Sequence, residues 1–393
     1  MLVIEAAFLA YFSYVVGYTL FLSAAGRLRA PLRFVQDARK SRIAILIPAY
    51  KEDAVIYSVA KAALQQSYPQ SSFEVIVIAD SLQERTIEQL KSLPIKVVEV
   101  SFSKSTKVKA LNAALQQFTE DAFDVGLILD ADNLMEPDFL EKVNAAYQAG
   151  YRSIQGQRVA KNKNTRFALL DALSEAINNH IYRRGTFAVG WSSSLIGSGM
   201  AFDLQLLRQT LAGMKSVGGF DREMEVLLLE QGVSSCYLEN AKVYDEKVEK
   251  AEVFQNQRKR WIASQFKYLK KYFRKGLKAL FKGKWTYANS ALLRNIQLPR
   301  VINLGMLFFI CLLTSLFNNY LELNPFVWWS LFGLNALAFL LAVPKEFYTK
   351  KLLWALLSLP KAFGIMFLLL FKLRNADKTF IHTPHSSSET PVS

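Results

Sequence analysis

Apolar positions are distributed unevenly along the chain. A run at 1–25 carries a single charge, Glu5, and three more runs, at 301–317, 326–343 and 352–371, lie towards the end. Each approaches the roughly 20 residues that a helix needs to cross a bilayer. Between them, residues 40–285 are mixed in polarity, with short β-rich runs at 43–48, 73–79, 95–100 and 125–130. Helix-period stretches near 54–66, 84–91, 107–118 and 137–149 separate and follow these runs. Continuous apolar strands alternating with helices predict an α/β domain, its sheet mostly parallel and covered by helices on both faces.

The first run has no basic residues before it and exceeds the apolar core of a signal peptide, about 7–15 residues. It predicts a transmembrane helix over 1–26. Arg27, Arg29, Arg33, Arg39, Lys40 and Arg42 follow it, so the positive-inside rule puts the N-terminus outside and the mixed block in the cytoplasm. The linker at 318–325 has no Lys or Arg and reads as an outside loop; 344–351 is basic and reads as inside. Pro360-Lys361 interrupts the last run. A charge at bilayer mid-depth costs about 3 kcal/mol or more, so 352–371 is expected to form a kinked or re-entrant hairpin. That would return the basic tail 374–393 to the cytoplasm.

Charge sharpens this reading. The 393 residues hold 48 Lys and Arg against 33 Asp and Glu, a net +15. From 258 to 284 there are eleven Lys/Arg and no Asp or Glu. The run lies just before apolar segments, which points to acidic membrane lipids and away from nucleic acid. The stretch 260–285 reads as an amphipathic interfacial helix with Trp261, Phe266, Tyr268, Leu269, Phe273 and Leu277 turned to lipid. This gives interfacial helices over 258–298 and a transmembrane or re-entrant region over 299–373. Two Cys and three scattered His exclude a disulfide scaffold and a His- or Cys-built metal centre. The missing G-x-G-x-x-G and G-x-x-x-x-G-K-[ST] motifs remove the main support for dinucleotide or P-loop chemistry.

In parallel sheets ligands bind beyond the carboxyl ends of the strands. Asp80 ends the second apolar run, and Asp130-Ala131-Asp132 ends the fourth. In an extended segment residues i and i+2 point the same way, so both carboxylates can face one site. Mg²⁺ and Mn²⁺ take such oxygens together with substrate phosphates. Alone, D-x-D is a weak signal. Here it stands in order with Pro48, Tyr50 and Glu52, Lys107, Gly197-Ser198-Gly199, Asp221 in GGFDREMEV, and Gln257, Arg260 and Trp261.

This ordered set resembles the membrane-bound family 2 glycosyltransferases: cellulose, hyaluronan and poly-N-acetylglucosamine synthases and ceramide glucosyltransferase. The resemblance covers about residues 40–265 and the flanking apolar segments. It implies a GT-A-type domain over 40–257, a nucleotide-sugar donor of the UDP-sugar kind, a lipid or glycan acceptor, and Mg²⁺ or Mn²⁺. By the same resemblance, Pro48, Tyr50, Glu52 and Asp80 border the nucleotide, with Lys51 in place of the usual Asn. Lys107 neighbours the diphosphate, with Thr106 where a Gly is usual. Asp132 and Asp130 hold the metal, while Gln257, Arg260 and Trp261 close over the diphosphate and the acceptor end. The catalytic base falls on Asp221, eleven residues before Gly232, but Phe220 replaces the customary Glu. Glu223 or Glu225 could serve in another register, and Asp221 also fits as a cap of a helix at 222–231. Two other readings stay open: a polyprenyl-phosphate glycosyltransferase, although those enzymes typically lack Q-x-x-R-W, and a non-catalytic nucleotide-sugar-binding membrane regulator.

Overall fold

The computed structural model describes residues 2–373 apart from 31, 33, 36, 37 and 250. The expected tail 374–393 and Arg33 lie outside the described residues. Eight strands form one sheet: β1 (Ile43–Tyr50), β2 (Phe73–Asp80), β3 (Lys96–Val100), β4 (Val125–Ile128), β5 (Leu134–Met135), β6 (Ser153–Ala160), β7 (Met200–Asp203) and β8 (Cys236–Asp245), in the order β3-β2-β1-β4-β7-β6-β8-β5. The helices are α1 (Leu2–Leu28), α2 (Ile56–Ala63), α3 (Glu84–Lys91), α4 (Lys107–Leu115), α5 (Phe139–Gln148), α6 (Arg166–Asn178), α7 (Thr186–Ala188), α8 (Leu204–Ala212), α9 (Phe220–Glu230) and α10 (Ala251–Phe281). They continue with α11 (Trp285–Ala288), α12 (Arg294–Ile296), α13 (Arg300–Leu316), α14 (Pro325–Ala342), α15 (Lys350–Leu356) and α16 (Leu359–Leu370).

The β3-β2-β1-β4 half is parallel, as expected. Beyond it the sheet is mixed: β7 runs antiparallel to both β4 and β6, β8 is parallel to β6, and β5 is antiparallel to β8. The reversal has a local cause. Residues 192–199 deliver the chain to the sheet beside the end of β4, pairing Met200 with Ile128, so β7 can only run back along it. Strand alternation covers both faces. Ile43, Ile45, Ile47, Val75 and Val77 bury into one core with α2 and α5. Ala44, Leu46, Ile76 and Ile78 bury into the other with α4, α8 and α9.

The apolar segments are tied to one another and to the domain by polar contacts. α1 carries Tyr11, Tyr14 and Tyr18 along one side, and their hydroxyls donate to Asn303 Oδ1 (2.9 Å), the Leu293 carbonyl (2.6 Å) and Asn289 Oδ1 (2.7 Å). Glu5 is buried and accepts the Leu323 N–H at 3.0 Å, tying the helix to the 318–324 connection. At the other end, His180 Nε2 meets the Ser23 carbonyl at 2.9 Å. A Cβ on Gly185 would collide with the Leu22 carbonyl. Gly185→Ala should therefore loosen the docking of α1 by about 1–3 kcal/mol, read as a fall of a few degrees in Tm in detergent.

By length and composition α1 and α14 could each cross a membrane, and two bent pairs could do so if each is one span: 285–296 with α13, at 55°, and α15 with α16, at 41°. The segment expected as a hairpin at 352–371 is thus two short helices meeting at a bend, with Pro360 in the first turn of α16. Lys361 Nζ lies 5.9 Å from the Phe167 ring centroid. Phe167 belongs to α6, so the lysine sits beside the globular domain. The boundary expected at 257/258 falls inside the single helix α10. Of the six side chains expected to face lipid, Tyr268 is buried, its hydroxyl donating to the Gly218 carbonyl at 3.1 Å. Phe273 and Leu277 do lie exposed. A tyrosine can fill an apolar contact and still satisfy its hydroxyl, which sequence period alone does not register.

Candidate active site

The site begins where the parallel strands end. Tyr50 pairs with Asp80 in register, and the Lys51 N–H donates to the Asp80 carbonyl at 3.1 Å. Just past both strands the backbone turns left-handed, at Lys51 (φ 56°) and Ser81 (φ 57°). Asn tolerates that conformation better than Lys, which gives a physical reason for an Asn preference at position 51. Asp80 is buried and accepts from Ser81 Oγ at 3.0 Å.

β4 stops at Ile128, so Asp130 and Asp132 do not continue an extended strand as expected. They lie in a turn closed by the Asn133 N–H on the Asp130 carbonyl (3.1 Å). Asp132 is buried; it accepts from Asn133 Nδ2 (3.0 Å) and faces the Glu246 N–H (3.4 Å). Asp130 forms an ion pair with Lys107, whose Nζ also donates to the Gly197 carbonyl at 2.6 Å. Lys107 is the first residue of α4, and Thr106 caps that helix by accepting the Lys109 N–H at 3.2 Å. The residue standing in for the expected Gly therefore holds Lys107 in place.

Gly197-Ser198-Gly199 forms the opposite wall. The Asp130 N–H donates to Ser198 Oγ (2.9 Å), and Gly197 and Gly199 both have positive φ (87° and 61°). A Cβ on Gly199 would come within 2.9 Å of Val243 Cγ2. Gln155, which sequence reasoning missed, braces this loop: Nε2 donates to the Ser198 carbonyl at 3.0 Å, and Oε1 accepts the Ile196 N–H at 3.0 Å.

Gly219 (φ 64°) is the N-cap of α9, so Asp221 is the helix's second residue and not its cap. Burial raises the Asp221 carboxyl above its usual value. Glu223 points elsewhere, paired with Lys271 on α10, and Glu225 accepts from the Leu195 N–H and pairs with Arg294, both at 3.1 Å. From α10, Arg258 pairs with Asp171 and stacks over Trp261, 4.4 Å from its centroid.

One cavity of about 1420 Å³ gathers these groups. Pro48, Tyr50, Glu52, Asp80, Lys107, Asp130, Asp132, Gly197, Asp221, Gln257, Arg260 and Trp261 all line it; Ser198, Gly199 and Glu223 do not. Sequence reasoning also missed a buried charge cluster in its wall. Arg158 pairs with Glu175 (2.7 Å) and Asp245 (3.3 Å), Arg183 with Glu175 (3.1 Å), and Lys247 with Asp245 (2.7 Å). The surrounding cations hold both carboxyls below the usual carboxylate range although burial opposes it. The cluster joins β6, α6 and the end of β8, and no local spacing announces it.

Among the described residues no three His, Cys, Asp or Glu side chains converge on a metal position. Asp130 and Asp132 are nonetheless hard oxygen donors on one cavity wall, and Mg²⁺ is commonly held by one or two carboxylates with substrate phosphates completing its shell. The donor set fits that kind of site.

The family model described as "Glycosyltransferase like family 2" matches residues 41–264. The chain belongs to this family. Its curated relatives include glucans biosynthesis glucosyltransferase H of Rhodopseudomonas palustris (strain ATCC BAA-98 / CGA009), 29% identical over 200 residues, covering 46% of this chain and 28% of that protein. Dolichol-phosphate mannosyltransferase of Pyrococcus furiosus is 29% identical over 128 residues, 30% of this chain and 34% of that protein. The matched stretches thus span about a third or less of these relatives. Among solved structures, the mannosyltransferase PcManGT from Pyrobaculum calidifontis, in complex with GDP-Man and Mn²⁺, shares the fold with a TM-score of 0.52 and 18% identity, over 86% of this chain and 96% of that one. The domain is a family 2 glycosyltransferase domain with the α/β arrangement of GT-A neighbours.

Proposed function

We propose that the protein is an inverting, divalent-metal-dependent glycosyltransferase of the membrane-bound type. It moves a sugar from a nucleotide-sugar, by family likeness a UDP-sugar, to a hydroxyl of a membrane-associated acceptor, a lipid or a growing polysaccharide. The observation that carries this reading is the shared cavity: Asp80, Asp130, Asp132, Asp221, Arg260 and Trp261 line one space at the strand ends. We read α1 and the C-terminal apolar helices as membrane segments, with the basic residues after α1 and along α10 on the cytoplasmic leaflet.

Asp80 and the Pro48–Glu52 loop border the nucleotide. Asp132 and Asp130 would hold Mg²⁺ or Mn²⁺, whose charge would offset the negative charge that grows as the diphosphate leaves. Lys107 and Arg260 add positive charge on the same side. Asp221 takes the proton of the acceptor hydroxyl as its oxygen attacks the anomeric carbon from the face opposite the diphosphate. The C–O bond to the diphosphate breaks as the new one forms, and the configuration inverts.

A base must be deprotonated to work, and burial raises the Asp221 carboxyl. The acid limb of kcat/KM is therefore expected above the ordinary aspartate value, about 4, with activity falling as the pH drops through the raised pKa. A limb at or below the ordinary value would remove Asp221 from the role. The function itself is tested by measuring nucleoside diphosphate release from a panel of nucleotide-sugars in reconstituted membranes, with Mn²⁺, with Mg²⁺ and with chelator. Nucleotide binding without release from any donor would favour the regulator reading.

Transfer to a lipid phosphate is the second reading, favoured by the apolar extension of the cavity among Leu340, Leu352, Leu353 and Met366. A phosphate oxygen needs no base, so Asp221→Asn would then retain turnover.

A further inference from the structure

The cavity does not end at the catalytic groups. Its lining also includes Arg222, Arg300 and an apolar group from the C-terminal helices, Leu304, Phe339, Leu352, Ala362 and Met366, which makes this part an apolar slot. Leu340 and Leu353 also line it and are 57% and 66% exposed. These belong to the belt of exposed large apolar side chains on α13 to α16 that includes Phe309, Leu313, Leu337 and Leu368. The slot therefore opens sideways onto the surface that the membrane reading above assigns to lipid.

Two arginines, Arg222 and Arg300, line the same cavity. Arg300 Nη2 donates to the Ser174 carbonyl at 2.9 Å, while its Nη1 is buried with no hydrogen-bond partner among the described residues. Arg222 Nη1 donates to Asn295 Oδ1 at 2.6 Å. Among the described residues neither guanidinium forms an ion pair, whereas Arg158, Arg183, Arg258 and Arg294 in the same walls each pair with a carboxylate. Asp221 and Glu225 act on Arg222, and Glu175 on Arg300, only from beyond ion-pair distance, so both guanidinium forks keep donors for an anion, and a phosphoryl group is the anion that such a fork accepts best.

Resting on the transferase reading, we propose that the acceptor is a phosphoryl-bearing lipid that enters from the bilayer: its hydrocarbon chain lies in the slot, its phosphoryl group meets Arg222 and Arg300, and a hydroxyl of its head reaches Asp221. A glycan in the slot would set its hydroxyls against Leu304, Phe339 and Met366 with nothing to bond to, and unmatched polar groups are costly there. A hydrocarbon chain lying in it instead covers the slot's own apolar walls. The lipid class thus follows from apolar lining and arginines without ion-pair partners in one cavity.

The test uses the full chain in phosphatidylcholine nanodiscs and two photoactivatable probes with the same diazirine-bearing acyl chain: phosphatidylglycerol, and the diacylglycerol that lacks the phosphoryl group. Phosphatidylglycerol is expected to label peptides of α14 and α16 at slot-facing positions several-fold more than diacylglycerol. Arg300→Gln should erase that preference while diacylglycerol labelling persists. Ala336→Trp, which narrows the slot from α14, should remove slot labelling by both probes, and Ala362→Trp should do the same from α16 if the first variant fails to fold. Equal labelling by both probes in the wild type, or labelling confined to outward residues such as Leu337 and unchanged by either tryptophan, would overturn the proposal. Nucleoside diphosphate release from donor hydrolysis is measured on the same samples. Its absence from the wild type with every donor would sink the transferase reading, whatever the lipid labelling shows.

Discussion

Asp132→Ala is expected to lower turnover by roughly 10³-fold or more, the several kcal/mol that a cation on a leaving diphosphate contributes. The same change should weaken nucleotide binding when Mn²⁺ or Mg²⁺ is present and leave it little altered in chelator. Asp132 is buried, and its side chain accepts from Asn133, so a loss of activity could come from a disturbed turn. Asp132→Asn keeps an acceptor oxygen at that position and removes the charge. It should reproduce most of the loss if the carboxylate acts on the cation, and little of it if the residue only shapes the turn. Metal titration of nucleotide binding on both variants separates these outcomes.

Asp221→Asn should behave differently. Removing a base typically costs about 10²–10⁴-fold in rate, and because the proposed mechanism assigns Asp221 to the acceptor, donor binding should stay near wild type. Stability gives a further check. Burial raises the folded-state pKa of Asp221, so its contribution to stability is complete below the unfolded value and is lost as the pH rises through the folded one. At neutral pH the asparagine variant should therefore be at least as stable as the wild type, which makes an activity loss a matter of chemistry. Turnover close to wild type, measured with the native acceptor, would move the base to another group or replace the hydroxyl by an acceptor that needs no base.

The parts of the fold that could be read along the chain are those where burial is two-sided. β1 and β2 are apolar on every residue that faces a core, and such runs announce themselves without partners. The strand ends that follow, marked by Asp80 and Asp130, were legible for the same reason, whereas the turn that holds Asp130 and Asp132 was not. β6 was not: SIQGQRVA is mostly polar with no continuous apolar run, and its buried Gln155 is satisfied by loop carbonyls from 43 and 44 residues away. Arg158, Glu175 and Asp245 read singly as surface charges; only the meeting of three elements turns them into a buried cluster. Tyr11, Tyr14 and Tyr18 passed as part of an apolar run, because a hydroxyl bonded across 271 to 292 residues leaves no local trace. Glu223 was a candidate by spacing from Asp221, and its pairing with Lys271 depends on how α10 crosses α9, which no local pattern fixes.

The central claim is that the carboxylates at the strand ends grip a cation that binds the donor diphosphate. The most direct measurement is an experimental structure of the chain with UDP and Mn²⁺, recorded at a wavelength that brings out the anomalous signal of manganese. The account predicts a peak at metal–oxygen distance from the Asp132 carboxylate and from the diphosphate, with the nucleotide against Asp80. A diphosphate bound outside this cavity, or a manganese peak away from both Asp130 and Asp132, would contradict it.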